Sequence, residues 1–150
     1  MNSIIIYNQP NGSVAYVIAC GDTPIDEVQR KDVPQGVESE IVEREKVLPV
    51  DEYFRDAWTW AGKGQPVLED LEKSKAIHRD NIRAARLPLL QAKDLEFQRA
   101  QETSADTAAI VTAKQALRDA PAAAAIDAAK TADELKAAWD TSLLGDSPYA

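Results

Sequence analysis

The chain has 150 residues, of which 45% are hydrophobic and 28% charged, and its formal net charge is −8. That length holds one ordinary domain or two very small units, and the composition is globular rather than disordered. An acidic balance disfavours general binding to a phosphate backbone, so nucleic acid is not an expected partner.

The single cysteine, Cys20, permits no internal disulfide. It is expected to be a small, buried or half-buried side chain. No run approaches the ~20 apolar residues of a membrane span. No basic region followed by a long apolar segment opens the chain. A cytoplasmic setting without membrane contact is the expectation.

Ile4-Ile5-Ile6-Tyr7 favours a strand, and Ser13 to Ala19 reads as a second. With Asn11-Gly12 between them, residues 3–8 and 13–19 predict a hairpin. Thr23 and Pro24 predict the start of a short helix over roughly 24–31, with Asp26 and Glu27 in its first turn. Asp32 to Gly36 stops it. Val37 to Val42 predicts a third strand, with Ser39 and Ile41 inward and Glu38 and Glu40 toward water. A linker follows at Leu48-Pro49. Tyr53 to Trp60 is the densest aromatic stretch, and a fourth strand over 57–61 would put Trp58 and Trp60 on one face. Two tryptophans so placed are either core or a partner-binding surface, since Trp is enriched at binding hot spots. Gly62 to Pro66 reads as a boundary.

From Pro66 to Ala100 no glycine interrupts the chain. Leu71, Ser74, His78, Ile82, Ala85, Leu89, Ala92 and Leu95 recur three or four apart, the stripe of an amphipathic helix. Such a helix would be about 50 Å long, against a radius of gyration of about 15 Å for a globule of this size. It therefore bends or projects, and Pro88 is the expected kink. Lys73, Lys75, Arg79, Arg83 and Arg86 suggest a basic face, either solvated or docking an acidic partner.

Thr103 to Asp106 predicts a turn, with Asp106 capping a second helix over 107–119 that folds back as a helical hairpin. Pro121 ends it. Thr131 with Glu134 predicts a capping box for a last short helix, with Leu135, Ala138 and Trp139 as its apolar face. The expected class is α+β: a small N-terminal antiparallel β-meander with a short helix, then a long kinked helix and a C-terminal helical hairpin. The expected units are residues 1–65, a helical region over 66–140 and a flexible tail over 141–150. Sixteen of the forty residues from 100 to 139 are alanine. Alanine supplies little area to bury, so a partner or oligomer would complete the core.

No catalytic constellation stands out. Cys20 would need a base, and His78 is the only histidine. One Cys and one His make a poor zinc site. Asp51, Glu52 and Asp56 are close in sequence, which proves no catalytic separation. Gly62-Lys63-Gly64 is a linker rather than a phosphate loop. No enzyme activity, cofactor or metal is expected.

Several stretches in order carry a resemblance. They are Lys31-Asp32-Val33-Pro34-Gln35-Gly36-Val37, Phe54-Arg55-Asp56-Ala57-Trp58, His78-Arg79-Asp80-Asn81-Ile82-Arg83, Leu89-Leu90, Asp94-Leu95-Glu96-Phe97 and Lys114-Gln115-Ala116-Leu117-Arg118-Asp119. Together they resemble the tail-fibre assembly chaperones and accessory proteins encoded beside fibre genes in tailed bacteriophages. The chain departs from that pattern at its alanine-rich end, where Trp139 stands alone. The resemblance implies a non-enzymatic protein that binds a phage tail fibre in the bacterial host cytoplasm, assists its folding or assembly, and can stay in the virion tail. Fibres being commonly trimers, a homo-oligomer or several copies per fibre is implied as well. Phe54, Trp58, Trp60, Arg79, Arg83 and Arg86 are the candidate partner-binding residues. The alternatives are a small regulatory protein that binds a host factor and a small carboxylate-dependent hydrolase.

Overall fold

The structure is a computed structural model that describes residues 2–150. It is α+β, with two small antiparallel sheets, one long helix and several short ones. The chain divides into two compact units, one ending at Ser74 and the other starting at Lys75.

In the first unit, β1 (Ser3–Asn8) and β2 (Val14–Ile18) form the expected hairpin, with Asn8 opposite Val14. α1 (Ile25–Asp32) follows, starting after Pro24 with no side-chain cap from Thr23. β3 (Ser39–Glu43) then pairs with β1, giving the order β2-β1-β3. This is not a consecutive meander. β2 and β3 both run antiparallel to β1, so they are parallel to each other, and a parallel pair needs a crossover connection. α1 is that connection, and it packs on β1 and β3.

The crossover explains why β1 is buried on both faces: Ile4, Ile5 and Ile6 are all fully covered. Ile4 and Ile6 join Val14, Trp58, Trp60 and Val67 in one core, with Val42 packed at its edge. Ile5 points the other way, opposite Val17 and Ile41. Ser39 lies on that second face, where its hydroxyl accepts from Gln29 Nε2 of α1 at 3.0 Å.

The assignment of β3's faces is thus corrected. Ile41 is exposed, and Glu40 stands in register with Ile6 on the main-core side. Glu40 accepts from the Gly64 N–H at 2.9 Å, and Glu38 from the Lys63 N–H at 3.4 Å. The acids meet backbone donors of a turn far along the chain, which period-2 patterning cannot foresee.

A four-residue helical turn, α2 (Arg44–Val47), fills the segment before the Leu48-Pro49 linker. After a 3₁₀ turn at Arg55–Ala57, β4 (Trp58–Trp60) pairs with β5 (Val67–Glu69). The stretch from Gly62 to Pro66 is the loop of this hairpin, not the boundary before the long helix.

The long helix, α3, spans Leu71–Glu102 and continues through Pro88. Ala84 and Pro88 are both exposed, so water can serve the carbonyl that lacks its usual donor. Its buried side follows Ser74, His78, Ile82, Ala85 and Leu89, as the stripe predicted, then Lys93, Phe97 and Ala100. The stripe permits a step of three from Leu89 to Ala92, or of four to Lys93. The fold takes the step of four and leaves Leu95 48% exposed.

In the second unit the chain turns at Ser104, whose φ is +56°. The Ala105 N–H reaches back to the Ala100 carbonyl at 2.8 Å, a left-handed C-terminal cap. α4 (Ala108–Asp119) returns antiparallel along α3, with Asp106 accepting from the Ala108 N–H. Lys114 pairs with Asp94 at 2.5 Å and sits over the Phe97 ring. A 3₁₀ turn at Ala120–Ala122 buries Pro121 and leads to α5 (Ala124–Ala128). α6 (Ala132–Ala137) is capped by Thr131, whose hydroxyl accepts from the Glu134 N–H.

Residues 141–150 are not a loose tail. They carry α7 (Thr141–Leu144), with Leu144 buried, and Tyr149 packed on His78.

Candidate functional site

Phe54, Trp58 and Trp60 offer no exposed face. Phe54 and Trp58 are fully buried and Trp60 nearly so. The β4–β5 pairing presses both tryptophans onto Ile4 and Ile6. Trp60 Nε1 donates to the Gln65 carbonyl at 3.2 Å, closing its own hairpin, and the Asn8 side chain donates to the Trp60 carbonyl. These residues build the first unit's core, and any partner surface lies elsewhere.

The arginines of α3 are brought together. Arg79, Arg83 and Arg86 line a cavity of about 390 Å³ with Arg118, Pro121 and Asp127. Steps of four and three place the first three along one side of the helix. Two of them hold the fold. Arg79 Nε donates to the Pro121 carbonyl at 3.2 Å, and its Nη2 pairs with Asp127. Arg86 Nη1 donates to the carbonyls of Leu117 at 3.2 Å and Arg118 at 2.7 Å. Those carbonyls belong to the last turn of α4, where the helix leaves acceptors free and a cation is favoured. Lys75, expected on the same basic face, is buried, with its ammonium donating to the Asp127 carbonyl at 3.0 Å.

The other two are freer. Arg83 pairs with Asp80 one turn back. The Arg118 guanidinium makes no hydrogen bond or ion pair among the described residues. Arg118 belongs to the Lys114–Asp119 motif, but only the hairpin register places it against Arg86, so helix periodicity alone missed it.

The α3–α4 hairpin also leaves large apolar side chains uncovered. Leu87 is 57% exposed, and Leu95 and Val111 are 48% exposed each. A second, more apolar hollow of about 480 Å³ is walled by Ile82, Leu143, Leu144 and several alanines, together with Asp119 and Asp140. It shares Ala122 with the arginine pocket.

His78 is fully buried. Its ring stacks on Tyr149 at 5.6 Å and meets Trp139 edge-on at 6.0 Å. Nδ1 lies 2.7 Å from the Tyr149 hydroxyl, which also accepts from the Asn81 amide at 3.0 Å. Nε2 has no partner. Burial, then the Arg79 charge, lowers the His78 pKa, and burial raises that of Tyr149. The histidine therefore ties α3 to the chain's last residues as a neutral ring.

Cys20 is exposed rather than half-buried, its thiol 3.8 Å from the Ile18 carbonyl. Glu52 accepts from the Tyr16 hydroxyl at 3.0 Å and pairs with Arg44, while the guanidinium carbons of Arg44 and Arg55 lie over the Tyr16 ring. No group of three or more metal-ligating side chains occurs among the described residues, and none of their helices is long and apolar enough to cross a membrane. No family model, curated protein or solved structure matches the chain.

Proposed function

We propose that this chain is a non-enzymatic binding protein of a bacteriophage tail fibre, which assists fibre folding or assembly and can remain as a tail component. The observation that carries the reading is the α3–α4 hairpin, which exposes Leu87, Leu95 and Val111. Full burial of a side chain of this size contributes about 1.5–3 kcal/mol, and about half of that remains for these half-exposed residues. The alanine-rich α4 leaves Leu87 and Leu95 uncovered and carries Val111 itself, and a partner chain would cover all three. The ordered motifs from Lys31 to Asp119 supply the identity of that partner by their resemblance to fibre assembly proteins.

Co-expression with the fibre protein encoded beside it tests the reading. The expected result is a higher yield of soluble, trimeric fibre than in the absence of this chain. Unchanged fibre solubility and trimer yield would contradict it.

A further inference from the structure

We propose that the arginine-lined pocket is the seat of an acidic peptide segment of the partner chain, two of whose carboxylates enter between Arg83, Arg86 and Arg118. The inference rests on the fibre-binding reading and names the chemistry of the segment recognised. Four guanidinium groups face the cavity against Asp127 in its wall and Asp80 beside Arg83. Two positive charges are left uncompensated, in a chain whose net charge is −8.

The donors are pre-arranged. Arg79 and Arg86 are fixed by the carbonyls of Pro121, Leu117 and Arg118, so little side-chain freedom remains to be lost on binding. Arg86 keeps Nε and Nη2, and Arg118 its whole fork, and these planar forks match carboxylates. Asp127 in the wall repels a compact dianion such as phosphate. Carboxylates spaced along a peptide can each meet a guanidinium away from it. The apolar hollow that meets the pocket at Ala122 takes an adjoining apolar side chain. The ligand is thus an acidic pair flanked by a large aliphatic residue.

The test is titration calorimetry of the full chain with the peptide acetyl-Gly-Leu-Glu-Glu-Leu-Gly-amide, and with its Gln-Gln counterpart as control. Long-range attraction cannot draw an acidic peptide to a net acidic protein, so binding reports a local site. The Glu-Glu peptide should bind, more weakly as salt rises, and the Gln-Gln peptide should not. Arg83→Gln combined with Arg118→Gln should weaken binding roughly tenfold or more, the scale of one charge-assisted hydrogen bond. Neither residue staples α3 to α4, so an unchanged thermal melt accompanies that loss. Equal binding of the two peptides, or full displacement by inorganic phosphate at the peptide's own concentration, overturns the proposal. So does a wild-type dimer that the peptide dissociates, because the occupant is then a second copy of this chain. Fibre capture keeps the two readings apart. A double variant that captures fibre as well as wild type overturns the acidic seat and leaves fibre binding standing. A wild type that binds the peptide but captures no fibre chain supports the seat and removes the fibre.

Discussion

Trp58 carries the first unit. It is fully buried with the β1 isoleucines and Val67, and its indole N–H has no hydrogen-bond partner among the described residues. Trp58→Ala should lower stability by about 3–5 kcal/mol, the cost of truncating a large buried aromatic. A urea melt checks this, and a loss under about 1 kcal/mol would show that the site is not the packed core described. At His78 the physics is electrostatic. The unfolded ring takes its proton near the ordinary pKa of 6.5, the folded ring only at lower pH. Below about pH 6.5 the unfolded state therefore binds more protons, and stability falls until the folded pKa is passed. Urea midpoints between about pH 7.5 and pH 5.5 should drop for wild type and drop less for His78→Gln. Equal slopes would contradict a buried neutral ring pinned on Tyr149.

At the scale of elements, α3 joins the chemistry of the second unit together. Pro88 removes one backbone donor from its interior. Pro88→Ala should stabilise the protein by about 1–3 kcal/mol, because alanine restores the Ala84 bond and removes the ring clash. A lower thermal midpoint would mean that a bend at Pro88 is needed for packing. Much of this helix was legible in the sequence, since glycine is absent and the stripe from Leu71 to Leu89 is regular. The cap at Thr131 and Glu134 was legible too, being a local rule of three residues. What was not legible is set by distant pairing. β3 docks beside β1 because α1 crosses the sheet, and β5 exists because Val67 to Glu69 finds β4. The packing of Tyr149 in the last segment involves His78, some seventy positions earlier. Arg118 joins the α3 arginines only through the hairpin register, in which Lys114 meets Asp94. Aromatic density near Trp58 was visible, but composition alone does not separate a core from a binding face.

At the scale of the whole molecule, the two units differ in composition. The first buries Ile4, Ile6, Trp58 and Trp60 in one core, though Ile18, Ile41 and Leu68 stay exposed on it. The second is alanine-rich and leaves Leu87, Leu95 and Val111 uncovered. Binding to a fibre is the account's central claim, and the hairpin surface is its physical basis. The most direct measurement is affinity capture of the fibre protein by tagged full-length chain, wild type beside Leu95→Asp. Leu95 is half exposed, so the aspartate should leave the melt within about 0.5 kcal/mol of wild type, as surface changes do. The account predicts that wild type retains the fibre protein as a stable complex and that Leu95→Asp loses most of it, by about 2 kcal/mol or more. Wild type that retains no fibre protein would contradict it.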